Sequence, residues 1–330
     1  MPNIRSSVVA AAVACVAAAG PAAVQQAVCA PDNVGLTLPP GFCATLVADS
    51  LGRPRHIVVA PNGDVFAAAT GSQGGVVALR DTTRDGRADV IRRFGPGPGS
   101  GIALANGWLY FATDDAVVRW RWTAGQLEPS GPPDTIVSGL LSRRQHAAKT
   151  IAVTGDGRLF VNIGAPSNSC QVADRVPGSP GRDPCTMLDS AGGIWMFDAN
   201  RARQRQSDGR RFATGLRNVV ALALDPSGVP WAVQHGRDDL HRLWPSLFDT
   251  LANAEKPAEE MFRLEDGADY GWPYCYYDPE LRLKVLAPEY GGDGRSVGRC
   301  AAARQPDVAF PAHWAPNALL FYTGSSFPVE

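Results

Sequence analysis

Polar and apolar positions recur along this chain in one repeated arrangement. The segments HIVVAPNGDVFAAAT (56–70), GIALANGWLYFATDD (101–115), TIAVTGDGRLFVNIG (150–164) and ALALDPSGVPWAVQHG (221–236) each set two apolar, β-rich runs around a polar turn, which carries Gly63, Gly107, Gly157 or Gly228. Alternating runs joined by Asn-Gly, Asp-Gly or Ser-Gly predict β-hairpins. A looser fifth copy, PDVAFPAHWAPNALLFYTG, covers 306–324. After most hairpins a further apolar strand follows: GGVVALRD, DAVVRWRW, GGIWMFDA and EEMFRLED. Helical periodicity is confined to a stretch near WPSLFDTLANAEKPAEE.

The turn glycines recur at intervals of 44, 50 and 71 residues. A hairpin plus further strands at such intervals predicts an all-β fold of β-propeller blades, each burying its faces against its neighbours. An array of β-sandwich domains would need roughly twice the spacing. Five copies do not close a ring, and an unclosed ring leaves a strand edge unpaired. Either GFCATLVA (41–48) supplies the strand that completes the last blade, or the chain is truncated and its last blade incomplete.

With 330 residues, 45% of them hydrophobic, and a net charge of −1, the chain can bury a large core. It has no global charge to recruit nucleic acid or an anionic membrane. Residues 1–28 read as an export signal: Arg5, an apolar run over 8–19, then small residues at Ala22 and Ala23. That run is too short to span a bilayer, and no other stretch is long enough. The expected mature domain is therefore 29–330, periplasmic or secreted. Cys15 leaves with the signal, so six cysteines remain: Cys29, Cys43, Cys170, Cys185, Cys275 and Cys300. An even count in an exported chain predicts disulfides, and the neighbouring pairs would each staple a local loop, although spacing alone does not resolve the connectivity. Zinc is a poor alternative, because no CxxC occurs and the histidines are scattered. No CxxCH occurs either, so the chain carries no built-in c-type haem.

In a propeller, ligands sit at the channel mouth, where loops entering the innermost strands converge. His146 lies just before one such strand, GLRN (215–218) lies before another, and QHGRDD (234–239) follows the partner strand of that second hairpin. In order, QHAAKTIAVTGDGRLFVNIG, FATGLRNVVALALDPSG, AVQHGRDDL and GADYGWPYCYYD resemble the soluble quinoprotein sugar dehydrogenases, the glucose/sorbosone dehydrogenase family with the related pyranose dehydrogenases. The resemblance runs over roughly residues 35–330 and implies a six-bladed β-propeller that binds pyrroloquinoline quinone (PQQ) with calcium. It implies oxidation of a sugar, sugar aldehyde or pyranose, with electrons passed to an external acceptor, a cytochrome or a quinone.

Carried over position by position, the resemblance makes His146 the base that accepts the proton of the substrate hydroxyl, a task suited to an imidazole whose pKa lies near 6.5. Arg217 and Asn218 match the pair facing the quinone oxygens, where a guanidinium stabilises developing charge. Gly236 and Arg237 fall where the family offers backbone carbonyls to calcium, a hard cation. His313 matches a pocket histidine of the sorbosone branch. YGWP (270–273) is a family marker assigned to architecture. Ala165 stands where the glucose branch has the acid that orients the base, and Gln145 where it has aspartate. That favours the sorbosone-like branch and leaves Ser167 or Asn168 to orient the imidazole. Family members also continue past LLFYTGSSFP into a segment that closes the last blade and supplies cations for the cofactor carboxylates, so the resemblance implies a C-terminal truncation and weakened cofactor retention.

DTTRDGRADVIR imitates a calcium loop, but position 12 is Arg92, so it is expected to be an Asp-Gly hairpin. Two rival functions stand beside the dehydrogenase: a non-catalytic propeller binding carbohydrate or protein, and a calcium-dependent lactonase-type hydrolase, which would need several carboxylate or Asn side chains converging on one metal.

Overall fold

The structure, a computed structural model, describes residues 29–143 and 145–325. The expected export signal, with Cys15, lies outside the described residues. Four antiparallel blades follow one another along the chain. The first orders β1 (Arg53–Val59), β2 (Val65–Thr70), β3 (Gly75–Arg80) and β4 (Val90–Phe94) from the inside outward. The second uses β5 (Gly99–Ala105), β6 (Trp108–Thr113), β7 (Ala116–Arg121) and β8 (Asp134–Ser138). The third uses β9 (Ile151–Val153), β10 (Arg158–Ile163) and β11 (Gly193–Asp198); after the short β12 (Gln204–Arg205), β13 (Arg210–Thr214) is its fourth strand. The fourth begins with β14 (Val219–Leu224), β15 (Pro230–Gln234) and β16 (Glu259–Arg263). Its outer strand comes much later, after β17 (Ala268–Asp269) and the hairpin β18 (Cys275–Asp278) and β19 (Leu283–Leu286), as β20 (Val308–Phe310).

Side-chain alternation explains the stacking. In β6, Leu109 and Phe111 enter a core shared with the first blade, while Tyr110 and Ala112 enter one shared with the third. In β10, Leu159, Val161 and Ile163 face the second blade and Phe160 faces the fourth. A period of two thus buries both faces of a middle strand. Each fully buried large apolar side chain contributes about 1.5–3 kcal/mol, and the cores lie between blades rather than within them. Two short strands cover outer edges: β12 pairs parallel with β8, and β17 pairs parallel with β13.

The first four hairpins form as the sequence predicts, each as the two innermost strands of a blade. Turn chemistry agrees: Asn106 and Gly107 both take positive φ, at 52° and 74°, as an Asn-Gly hairpin turn requires. At the β14–β15 turn, Asp225 accepts from Ser227 N at 2.9 Å and Val229 N at 3.0 Å. The fifth copy is a correction. β20 pairs with β16 as the outer strand of the fourth blade, and 311–325 form no strand. GFCATLVA is also not a strand; it runs irregularly, and its last residue, Ala48, packs with Leu51 on a flank of the first blade against Ala67, Ala69, Val77 and Leu79. The described residues therefore hold four blades.

Helix near 244–260 is limited to α2 (Thr250–Glu255), which follows the single turn α1 (Leu240–Leu243). The DTTRDGRADVIR loop joins β3 to β4 as a hairpin, with Asp81 accepting from Arg84 N at 2.6 Å and Gly86 N at 2.7 Å. Three disulfides join the neighbouring cysteines: Cys29–Cys43, Cys170–Cys185 and Cys275–Cys300. Among the described residues, no helix is long and apolar enough to cross a membrane.

Candidate functional site at the channel mouth

β9, β10, β14 and β15 bring the predicted clusters to one end of the channel. His146 precedes β9 with φ at +55°, and its Nδ1 lies 2.6 Å from the Ala165 carbonyl at the end of β10. That carbonyl can only accept, so Nδ1 carries the proton and Nε2 is left as the acceptor. Ala165 N donates to Arg217 O at 2.8 Å. The main chain of one residue, Ala165, therefore ties the histidine to the arginine. The position that lacks an acidic side chain orients the imidazole through its backbone. Ser167 and Asn168 do not: Ser167 Oγ bonds Met187 Sδ and accepts from Cys170 N, and Asn168 serves Arg217 and Asp238.

Burial first, then the Arg217 charge, pull the His146 pKa down to about 4, well below the 6.5 taken from sequence, while the Ala165 bond opposes both. The ring is neutral at working pH, and weaker as a base than expected.

Arg217 is 3% exposed and Asn218 5%. The Arg217 guanidinium donates from Nε to Asn168 O (3.1 Å), from Nη1 to Gly236 O (2.7 Å), and from Nη2 to Asn168 Oδ1 (3.0 Å) and Asp238 Oδ2 (2.8 Å). Its backbone N–H donates to Gln234 Oε1 at 3.0 Å. Four of the five guanidinium N–H groups are thus engaged within the chain, leaving one on Nη1. Asn218 Nδ2 makes a long bond of 3.5 Å to His235 Nδ1, and His235 Nε2 lies 2.9 Å from Pro316 O. Asn218 Oδ1 is buried without a partner. An orphaned buried acceptor costs about 1–3 kcal/mol and fits a ligand that brings a donor or a cation.

The carbonyls of Gly236 and Arg237 are the oxygens expected to hold calcium, and Asn218 Oδ1 is a further oxygen that could do so. Because Gly236 O already accepts from Arg217, an ion there would replace that bond. The Arg237 side chain turns away into a buried ion pair with Glu289. Glu289 also accepts from Ser169 Oγ and Trp244 Nε1, both at 3.0 Å. Glu259 accepts from Gly236 N at 2.8 Å, and burial raises its pKa. His313 is exposed, with Nε2 at 2.7 Å from Asn253 O on α2, and no bond joins it to His146, Arg217 or Asn218 among the described residues.

Sequence reasoning passed over Asp238, Arg175 and the positioning role of Asn168. Arg175 bonds Asp238 Oδ2 and Asp239 Oδ2, each at 2.8 Å. Burial pushes the Asp238 carboxyl upward, but Arg217 and Arg175 outweigh it and hold the pKa low. The two acids in QHGRDD were the available signal. Among the described residues, no group of three or more His, Cys, Asp or Glu is placed to hold a metal.

The TrAA12-like family model matches residues 36–327. No curated protein matches the sequence. Among solved structures, the calcium structure of a Trichoderma reesei enzyme of carbohydrate-active family AA12 is 19% identical, with a TM-score of 0.66 over 84% of this chain and 72% of that one. The holo form of the pyranose dehydrogenase PQQ domain from Coprinopsis cinerea is 18% identical, with a TM-score of 0.68 over 84% of this chain and 70% of that one. The apo form of the soluble aldose sugar dehydrogenase from Escherichia coli is 17% identical, with a TM-score of 0.55 over 86% and 79%. At these identities the likeness shows the propeller fold.

Proposed function

This chain belongs to the TrAA12-like family, and from that premise and the chemistry of the mouth we propose that it is a PQQ-dependent dehydrogenase oxidising a sugar, sugar aldehyde or pyranose. The observation that carries the reading is His146. Its Nδ1 is fixed on Ala165 O, its ring is neutral, and its Nε2 has no partner among the described residues, beside a buried arginine and an orphaned amide oxygen. When bound, PQQ supplies the hydride acceptor. His146 Nε2 takes the proton of the substrate hydroxyl, which carries His146 to the imidazolium that Ala165 O can still hold. The Arg217 guanidinium, with one N–H to spare, and Asn218 would hold the cofactor by hydrogen bonds, and the carbonyls of Gly236 and Arg237 would bind calcium, Gly236 O giving up its bond from Arg217. His313 belongs to the rim rather than to the reacting centre.

A six-bladed ring is part of the same reading. Ile57 and Val59 on β1 are 61% and 60% exposed, a state unusual for an innermost strand and one that a further blade would end. Export to an oxidising compartment agrees with the three disulfides, and an external cytochrome or quinone takes the electrons.

The test is reconstitution with PQQ and calcium, followed by dye-linked oxidation of a panel of aldoses and sorbosone, with His146→Ala alongside. Activity that requires PQQ and falls by about 10³-fold or more in the variant is expected. A folded chain that binds no PQQ would sink the reading. It would favour a non-catalytic carbohydrate-binding propeller, the alternative to which the heavy internal use of Arg217 points.

A further inference from the structure

Two of the four bonds that fix the Arg217 guanidinium end on one residue. Asn168 is fully buried, and it offers Arg217 both its carbonyl, at 3.1 Å from Nε, and its side-chain oxygen, at 3.0 Å from Nη2. The same amide also sets the third partner in place. Asn168 Nδ2 donates to Asp238 O at 2.9 Å, and Asp238 N donates to Asn168 Oδ1 at 2.9 Å. Asp238 in turn meets Arg217 through its carboxylate. A guanidinium presents its donors in a rigid plane, so two bonds to one anchored neighbour fix its direction as well as its place.

What anchors Asn168 comes from the YGWP segment. Trp272, 4% exposed, donates Nε1 to the Asn168 carbonyl at 3.0 Å. That carbonyl thus accepts from both the indole and the guanidinium, and both of its lone pairs are used. Trp272 is itself fixed by its backbone N–H on Gly215 O, at 2.9 Å, two residues before Arg217. The indole therefore spans from the turn that carries Arg217 to the loop that aims it.

We propose that Asn168 is the positioning residue for Arg217 and that Trp272 is its support, so that the YGWP motif acts on the reaction through Arg217 rather than only on the architecture. The proposal rests on the dehydrogenase reading for its functional consequence, but not for its physical content. The spare N–H on Arg217 Nη1 points where these bonds send it.

The first measurement uses the free, isotope-labelled chain and follows solvent exchange of the Arg217 Nε–H by NMR in wild type, Asn168→Ala and Trp272→Phe. Exchange is expected to quicken by about tenfold or more in Trp272→Phe, which removes the indole bond to the Asn168 carbonyl, and in Asn168→Ala, which keeps that carbonyl but removes the side-chain bonds to Asp238 that hold it in place. Trp272→Phe retains most of the aromatic volume and decides the question alone if Asn168→Ala does not fold. Unchanged Nε–H exchange in folded Trp272→Phe overturns the proposal. The second measurement is a double-mutant cycle on the PQQ dissociation constant. Asn168→Ala should weaken binding by about tenfold in the wild-type background and by less than about twofold in Arg217→Lys. Equal losses in both backgrounds would mean that Asn168 acts on structure alone, and would overturn the proposal. If wild type binds no PQQ, the dehydrogenase reading fails, and the exchange measurement still decides this one.

Discussion

Gly164 sits where three groups of the mouth come together. A Cβ there would lie 2.6 Å from His146 Cβ, 2.7 Å from His146 O and 2.9 Å from Asn218 Oδ1. Two of these contacts are to atoms close to the main chain and cannot swing away. Gly164→Ala should therefore lower kcat/KM by at least about tenfold while costing roughly 1–3 kcal/mol of stability, as overpacking does. Steady-state kinetics beside a urea titration would separate the two, and a variant with wild-type kinetics would place Asn218 outside the reaction. The His146 shift gives a second expectation. With its pKa near 4 because of burial and then Arg217, the acid limb of the kcat/KM profile should fall near pH 4, not near 6.5. Arg217→Met removes the second cause and should move that limb upward. Stability follows the same sign. The unfolded histidine takes up its proton near pH 6.5 and the folded one only near 4, so protons favour the unfolded state and stability falls as pH drops through that window. At this scale the structure brings the His146, Arg217 and Asn218 that the sequence singled out around the main chain of Gly164 and Ala165. It could not show that Ala165 orients the base, because a backbone carbonyl leaves no mark on residue identity.

The loop over 170–185 belongs to the scale of elements, since it delivers a cation to the site without containing a strand of the blades. Cys170–Cys185 closes it, and within it Arg175 reaches Asp238 and Asp239. Closing a loop of this length is worth about 3 kcal/mol through the unfolded state. Cys170→Ala/Cys185→Ala should lose about that much in urea unfolding, and it should also raise KM or weaken PQQ binding as Asp238 loses a fixed partner. A stability loss below about 0.5 kcal/mol would show that internal hydrogen bonds hold the loop unaided. The hairpins were legible because alternation and Gly turns are local signals, whereas an even cysteine count marked disulfides without choosing among their pairings. The fifth copy misled because period two marks a strand but not its partner. β20 returns to β16 across residues 264–307, a stretch that holds the inserted hairpin and Cys275–Cys300 and puts the partner strand far away in sequence. GFCATLVA misled in the same way: its apolar positions serve packing on a blade flank rather than a ladder.

Across the whole molecule, the blades meet at the channel axis through a residue that no motif singled out. His56 on β1 places Nδ1 at 2.6 Å from Ser100 O of the second blade, and Nε2 at 2.9 Å from both Val220 O of the fourth blade and Asn317 O. Thr150 Oγ1 donates to the same Val220 carbonyl at 2.8 Å, so that acceptor keeps a partner if the imidazole is removed. Ser100 O and Asn317 O have no such second donor among the described bonds. Ser100 is buried whereas Asn317 is exposed and can turn to water, so His56→Ala should cost about 1–3 kcal/mol, the penalty for stranding one buried acceptor. Amide exchange should rise most in β1 and β14, whose mutual link is lost, and least in β10 and β11, which are held between two inter-blade cores. A cost below about 0.5 kcal/mol with uniform exchange would mean that water replaces the imidazole and that the blades are held by their apolar faces alone. In that case the first blade, with its flank over Ile57 and Val59 exposed, would depend on the Phe66, Ile102 and Phe111 core for its attachment. Phe111→Ala would then release it, whereas with His56 in place the same truncation should cost only the about 3–5 kcal/mol of a core cavity.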